Sequence, residues 1–204
     1  AGYPWFKCRA RDEFISLPGV SLFSDNETLF HDIMKNALVA VNEFISDKEN
    51  TTNLVEIDSP DALLWFIYTI QQYANKCGIH KAAEKYATVV FAILSFIRKH
   101  KHPNLFCHDQ GLLYTNGKQV PVSWMNAVEN GEPIVPRTGY LVEINALWYN
   151  ALKFAAELAN VKGEDSQTDL YNYQAEMTAR AFVSCFWNGS YLSDFVDDDY
   201  CDKE

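Results

Sequence analysis

The stretch VPRTGYLVEINALWYNAL, from Val135 to Leu152, decides the fold. Its apolar residues are spread over every face of a helix, which predicts a helix buried on all sides. Glu143 is the single carboxylate of this run, and burying a carboxylate costs free energy unless a cation or a ligand binds it. Arg137 lies in the Pro-Arg-Thr-Gly turn just before the helix. The stretch therefore predicts either a structural ion pair between Glu143 and Arg137 or the floor of a binding site.

Helical periodicity continues along most of the chain, and no good run of alternating polar and apolar residues is present. We therefore predict an all-α protein with helices near residues 11–17, 27–45, 61–77, 80–100, 140–161 and 166–187. Residues 102–139 are predicted to be a long irregular stretch, followed late in the chain by a short extended piece at 191–196. A loop this long is usually either functional or disordered, and large apolar residues such as Trp124 and Met125 argue against disorder. We therefore predict that the long stretch is functional.

The predicted helices alternate in character. Those at 61–77 and 140–161 are apolar on most faces, whereas those at 80–100 and 166–186 carry charged stripes. This alternation predicts an inner ring of helices wrapped by an outer ring. Polar residues lie at the starts of the buried helices or just before them, with tryptophans nearby in sequence: Arg11, Asp12, Asp61, Arg137 and Glu143, with Trp5, Trp65, Trp124 and Trp148. Helix starts that gather at one mouth would form a polar, aromatic pocket.

Composition excludes several classes of function. The 204 residues carry a formal net charge of −10 and no basic stripe, so we expect no nucleic-acid partner. No apolar run is long and clean enough to cross a bilayer, so we expect no membrane partner. Five cysteines at spacings that fit neither zinc nor a disulfide framework predict free thiols in the cytoplasm. His108 and Asp109 lack a third ligand at metal spacing, so we expect no metal and no other cofactor.

Each candidate residue also has a structural interpretation. Arg11 and Asp12 could together hold vicinal sugar hydroxyls, or they could be surface charges of a helix. Asp61 is in the position of a helix cap. Trp65 is either a sugar platform or part of the core, and the core is favoured. Glu143 either pairs with Arg137 or serves hydroxyl binding or acid/base chemistry.

Three stretches resemble one known family. AGYPWFKCRARDEFISLPG, DSPDALLWFI and SWMNAVENGEPIVPRTGYLVEINALWYNAL are similar, in this order, to motifs of the amylo-α-1,6-glucosidases, the C-terminal domain of glycogen debranching enzymes. The resemblance implies about the first half of an (α/α)6 barrel and an inverting hydrolase that removes α-1,6-linked glucose from a branched α-glucan or oligosaccharide. Residues 1–204 are then one domain, the N-terminal half of a catalytic domain that ends early, with the second catalytic carboxylate outside it. Such a fragment alone is expected to be inactive.

The resemblance also implies site residues, with one departure. Asn126 stands where the family has an aspartate that fits the role of general acid, and an amide cannot donate a proton with a matched pKa. Either another group such as Glu143 is the acid, or the protein is a non-catalytic carbohydrate-binding relative. The implied substrate-binding residues are Trp5, Arg11, Asp12, Asp61, Trp65, Trp124, Arg137 and Trp148.

Overall fold

The computed structural model describes Trp5, residues 7–197 and the backbone of residues 202–203. Most of these residues are helical, as the sequence predicts. The α-helices are α1 (Ala10–Leu17), α2 (Glu27–Ile45), α3 (Ala62–Cys77), α4 (Ile79–Arg98), α5 (Val142–Val161) and α6 (Asp165–Phe186). None of the helices in this part of the chain is both long enough and apolar enough to cross a membrane.

Local chemistry sets the helix ends close to the predicted positions. The Asn26 side chain accepts a hydrogen bond from the backbone N–H of Leu29 and so caps α2. Gly78 joins α3 directly to α4 with a φ of 103°, a value that glycine adopts without a steric penalty. The helical path does not stop at Pro18, however, because α1 passes into a π-helical turn over Pro18–Leu22.

A side chain from another helix explains how the chain passes this proline. Proline has no N–H to donate to the carbonyl four residues earlier. That carbonyl, of Phe14, instead accepts a hydrogen bond of 2.7 Å from the Thr69 hydroxyl on α3. The π turn is closed by the N–H of Phe23, which donates to the Pro18 carbonyl at 3.1 Å. Local sequence rules cannot show this, since Thr69 lies far away in the chain.

The helices pack around one main hydrophobic core. Helix α3 contacts α1 on one side and α5 on the other, while α4 contacts both α3 and α5. Helix α6 lies along α5 and buries only four of its own residues fully, as its charged stripe predicts. Helix α4 is buried as deeply as α5, so the predicted contrast between inner and outer helices holds only in part. Half of an (α/α)6 barrel remains a prediction.

The all-α prediction is wrong for the long irregular stretch. It contains most of the short strands of the described residues. The strands are β1 (Cys8–Arg9), β2 (Leu54–Val55), β3 (Leu105–Cys107), β4 (Leu113–Thr115), β5 (Val128–Glu129), β6 (Glu132–Pro133), β7 (Gly139–Leu141), β8 (Phe195–Val196) and β9 (Asp202–Lys203). Five of them form a sheet in the order β3–β4–β7–β8–β9. Strands of two or three residues are too short to give a period-2 pattern, and this sheet joins segments distant in sequence.

The sheet is fastened to the start of α5. Strand β7 runs directly into that helix. The buried amide of Asn145, in the first turns of α5, accepts a hydrogen bond of 2.7 Å from the N–H of Leu113 and donates one of 3.0 Å to its carbonyl. One asparagine therefore satisfies both backbone groups of a β4 residue, which is how the sheet keeps a fixed position on the helix.

Candidate functional site

A pocket of about 260 Å³ opens between the start of α1, the segment before α3 and the loop before β5. It brings together two of the predicted site residues, Arg11 and Asn126, which lie far apart in the sequence. Its other walls include two acidic side chains, a serine and apolar loop residues, namely Glu56, Asp58, Ser59, Val120 and Pro121. The pocket is thus polar on the side of α1, whereas the loop side combines the Asn126 amide with apolar side chains.

Arg11 is held in place by the residues just before α3. Its Nε and Nη2 donate to the two oxygens of Asp61 at 2.6 and 2.9 Å, and Nη2 also donates to the Ser59 hydroxyl at 2.6 Å. Both charged side chains are buried. Burial opposes the charge on Arg11, but the hydrogen bond and the charge of Asp61 outweigh it and raise the pKa of Arg11 above its usual value. The guanidinium is therefore a fixed cation on the pocket wall.

This pairing differs from the one expected on the sequence. Asp61 occupies the N-cap position just before α3, but its carboxylate makes no capping hydrogen bond because it binds Arg11. Asp12, predicted to act together with Arg11, is exposed and does not line the pocket. Successive residues of a helix point about 100° apart, so Arg11 and Asp12 cannot face one ligand from the same side. Asp61, and not Asp12, is thus the carboxylate that binds Arg11.

A second buried arginine lies where the long stretch meets α5. Arg137 donates to both oxygens of Glu143 at 2.5 and 3.1 Å, and to the Asp194 carboxylate at 2.8 Å. A further hydrogen bond of 2.8 Å joins it to the Ser123 hydroxyl. Its side chain is 1% exposed, and the guanidinium lies over the ring of Phe195, 5.8 Å from the ring centre. The structural ion pair predicted for Glu143 and Arg137 is present.

The Arg137 cluster anchors the loop that carries Asn126. Ser123, which binds Arg137, precedes Asn126 by three residues. Even a fully extended chain covers at most about 10 Å over three residues, so Asn126 lies close to Ser123. The N–H of Asn126 donates to the Trp124 carbonyl at 2.9 Å, which makes a tight turn between the two. Both arginine clusters therefore border the same region, one through the pocket wall and one through the loop.

The four predicted site tryptophans lie in different environments. Trp5 and Trp124 are 79% and 61% exposed, and Trp124 belongs to the anchored loop. Trp65 is partly buried against the core. Trp148 is buried, with its indole N–H donating to the Gly111 carbonyl at 3.1 Å. Among the described residues, no tryptophan lines the Arg11–Asn126 pocket. The predicted aromatic side chains are therefore not part of the wall of this pocket.

Several residues of the site were missed on the sequence. Glu56 and Asp58 line the pocket, and Glu56 pairs with Arg9 at 3.2 Å. The run Glu56-x-Asp58-Ser59-Pro60-Asp61 is unusually acidic for a segment before a buried helix, and that density was an available signal. Asp194 gave no such signal, because only the sheet brings it beside Arg137.

The metal-binding and thiol chemistry of the described residues is limited. No three of their histidine, cysteine, aspartate or glutamate side chains are grouped in a way that could hold a metal ion. Four of the five cysteines are free thiols, as predicted, and Cys201 lies outside the described residues. Burial raises the pKa of Cys107, and it raises that of Cys185 to about 11, so neither thiol is activated as a nucleophile.

Comparison with known proteins gives a match to one family model, matches among solved structures, and no match among curated proteins. A family model described as amylo-alpha-1,6-glucosidase matches residues 1–204, the whole chain. Among solved structures, the GH78 family rhamnosidase of Bacillus sp. GL1 matches with a TM-score of 0.51 and 18% sequence identity over 71% of this chain. This chain spans only 14% of that protein, and at such identity the similarity concerns the fold alone. Comparison with curated proteins gave no match.

Proposed function

We propose, from the premise that this chain belongs to the amylo-α-1,6-glucosidase family, that it is part of a hydrolase that removes α-1,6-linked glucose from the branch points of an α-glucan. The supporting observation is the pocket that combines Arg11 with Asn126, both within motifs of the family resemblance. The free thiols of the described cysteines support a cytoplasmic location.

Arg11 is suited to hold a sugar hydroxyl. Its Nε and Nη2 are taken by Asp61 and Ser59, while Nη1 makes no hydrogen bond to any described residue. Because Arg11 lines the pocket, Nη1 supplies two N–H donors whose direction is fixed by the ion pair behind them. A fixed donor loses little conformational entropy when it binds a ligand. We assign to Arg11 the binding of a glucose hydroxyl, with Asp61 as the residue that positions it.

Hydrolysis also requires that a proton be donated to the leaving oxygen. An inverting glycosidase needs a carboxylic acid on one side of the sugar and a carboxylate that activates water on the other. The amide of Asn126 lines the pocket but cannot transfer a proton. Asp61 and Glu143 each accept hydrogen bonds from an arginine on both oxygens, so neither is placed to give a proton in this geometry.

Asn126 also supports a second candidate function, a carbohydrate-binding protein without hydrolytic activity. In that case Arg11 and Asn126 hold a glucan end in the same pocket, and no bond is broken. The two functions share a ligand class and differ only in turnover, so they are separable by experiment.

The test is glucose release from a branched limit dextrin by the full-length protein, together with maltooligosaccharide binding by calorimetry. Release of glucose supports the hydrolase, and binding without release supports the binding protein. Arg11→Lys keeps the charge but loses the two-point contact with Asp61, so it should weaken binding, while Asp12→Asn is the exposed control on the neighbouring position. A wild type that neither binds nor hydrolyses the glucan would refute both functions.

A further inference from the structure

A second cleft, of about 300 Å³, lies between the end of α4, the turn at residues 107–111 and the middle of α6. The buried indole of Trp148 is at its base. Leu170, Tyr173 and Met177 form one apolar wall along α6, and the Tyr173 ring is 62% exposed. The cleft shares no lining residue with the Arg11–Asn126 pocket.

The base of this cleft is rigid. The Gly111 carbonyl accepts two hydrogen bonds, from the Trp148 indole at 3.1 Å and from the Thr178 hydroxyl at 2.9 Å. Gly111 has a φ of 88°, and a Cβ at that position would lie 3.3 Å from the backbone nitrogen of Thr178. Close approach of the turn to α6 therefore requires glycine, and the cleft is formed before any ligand arrives.

Two charged side chains, Arg98 and Asp109, line the cleft without forming an ion pair with each other. Among the described residues, no carboxylate lies within ion-pair distance of Arg98, and Asp109 makes neither an ion pair nor a side-chain hydrogen bond. The amide oxygen of Gln174, in its favourable orientation, lies 2.9 to 3.2 Å from the three guanidinium nitrogens of Arg98. The cleft thus offers fixed donors and a free acceptor beside an exposed aromatic ring.

The cleft continues along α6. A further depression of about 310 Å³ shares Met177 with it and extends to Arg180, Ser184 and Cys185. From Leu170 to Cys185 the helix rises about 22 Å, at 1.5 Å per residue. A groove of this length suits an elongated ligand better than a single small molecule.

We propose that this groove, lined by Arg98, Asp109, Tyr173 and Met177 over Trp148, is a second saccharide-binding site that holds a linear oligosaccharide away from the Arg11–Asn126 pocket. A sugar ring has apolar C–H faces, which pack on Tyr173 and Met177, and edge hydroxyls that both donate and accept. Arg98 and Asp109 together satisfy such hydroxyls, and the Asp109 charge disfavours a phosphate or carboxylate ligand at Arg98. The assignment of the ligand as an α-glucan rests on the proposed function.

The groove supplies a second attachment to a polymeric substrate. A protein that binds one glucan chain at two places gains affinity through effective concentration, without any new contact at the first site. Substitutions in the groove should therefore weaken binding to a long glucan and leave hydrolysis of a short branched oligosaccharide unchanged.

The test compares full-length wild type with Tyr173→Ala and Asp109→Ala, using calorimetry with maltoheptaose and electrophoresis in gels that contain a soluble linear α-glucan. Each variant should weaken glucan binding roughly 5- to 30-fold, the range for loss of an interface anchor. Tyr149→Ala, an exposed tyrosine on α5 outside the groove, is the matched control and should bind as wild type does. Because Tyr173 and Asp109 are exposed, these changes leave the core intact.

The outcomes separate this inference from the proposed function. If the wild type releases no glucose from a short branched oligosaccharide but Tyr173→Ala loses glucan binding, the hydrolase assignment fails and the groove stands. If the wild type is active and both variants bind glucan normally, the groove assignment is overturned. Binding of inorganic phosphate that is lost in Arg98→Ala, with no maltoheptaose binding by the wild type, would also overturn it.

Discussion

Arg11 donates two hydrogen bonds to Asp61, at 2.6 and 2.9 Å, and joins the start of α1 to the start of α3. Both side chains are buried, so the two charges have little access to water. A buried pair of this kind contributes little net stability compared with apolar packing, but removal of one partner is costly because the other charge stays buried. The pair therefore serves to fix the direction of the guanidinium at the pocket.

Asp61→Ala should lower the free energy of unfolding by about 3–5 kcal/mol, because Arg11 would remain as an uncompensated buried charge. The measurement is urea unfolding of the full-length protein. Asp12→Ala, one position from Arg11 but exposed, should stay within about 0.5 kcal/mol of wild type. The double variant Arg11→Met with Asp61→Leu should recover most of the loss. Equal stability of Asp61→Ala and wild type would contradict the buried ion pair.

The close approach of two loop segments predicts a second loss of stability. A Cβ on Gly117 would lie 2.2 Å from the carbonyl oxygen of Arg137, a distance at which the backbone must move. Gly117→Ala should cost at least about 1–3 kcal/mol and loosen the loop that carries Asn126. Gly19→Ala is the control, since a Cβ there meets nothing within 4 Å.

Hydrogen exchange gives the local readout of the Gly117 change. Exchange in Gly117→Ala should increase over residues 117–137 and remain at the wild-type level in α3, because the added Cβ meets the backbone of Arg137 and not a helix. Uniform acceleration over the whole protein, or none, would show that the Gly117–Arg137 contact does not hold the loop.

His102 predicts a pH dependence. It is 1% exposed, its Nδ1 accepts a hydrogen bond from the N–H of Asn104, and its Nε2 has no partner among the described residues. Burial lowers its pKa to about 4, so the native state disfavours the protonated form. The unfolded chain therefore binds more protons than the native one between about pH 6.5 and pH 4, and stability should fall over that range by on the order of 3 kcal/mol.

Substitution of His102 tests its contribution to the loss of stability at acidic pH. His102→Gln keeps an acceptor for Asn104 and should flatten the curve of unfolding free energy against pH between about 6.5 and 4. The exposed His80→Gln should leave that curve unchanged in shape. A His102→Gln variant that loses stability with acid as steeply as the wild type would show that other groups cause the loss.

The helices were predictable and the site only partly so, for a physical reason. Caps and stop signals such as Asn26 and Gly78 act within a few residues, so the sequence predicts α2 to α4 closely. Arg137 and Glu143 are close in sequence, and the apolar run around Glu143 made its ion pair predictable. Side-chain pairs whose members are far apart in sequence and meet only in the folded chain were not predictable.

The contacts that the sequence did not predict join residues that meet only in the folded chain. Asp194 reaches Arg137 through the pairing of β7 with β8, across a sheet whose strands are too short to show a pattern. Asp61 was interpreted as a helix cap because its sequence position is that of a cap, and only the packing of α1 on α3 places Arg11 beside it. In both cases a tertiary contact, and not the local sequence, determines which partner the carboxylate binds.

Asn126 offers the sharpest test of the chemistry. It stands in the pocket at the position that the family resemblance gives to an acidic residue, and general acid catalysis contributes typically ~10²–10⁴-fold to a rate. Asn126→Asp should therefore raise the rate of glucose release from an α-1,6-glucosyl dextrin by about that factor, with little change in affinity for glucose. The measurement is steady-state glucose release by the full-length protein.

The choice of substrate distinguishes proton donation from a general improvement of the site. The leaving group of α-glucosyl fluoride needs little protonation, so Asn126→Asp should raise its hydrolysis far less than that of the dextrin. Asn126→Ser, which has neither a carboxylic acid nor an amide, is the matched control and should not accelerate either reaction. If the wild type already hydrolyses dextrin at a rate that Asn126→Asp leaves unchanged, the acid lies elsewhere, and Glu143 is the next residue to substitute. If neither form releases glucose while both bind the oligosaccharide with equal affinity, the pocket is a binding site and the hydrolase proposal is wrong.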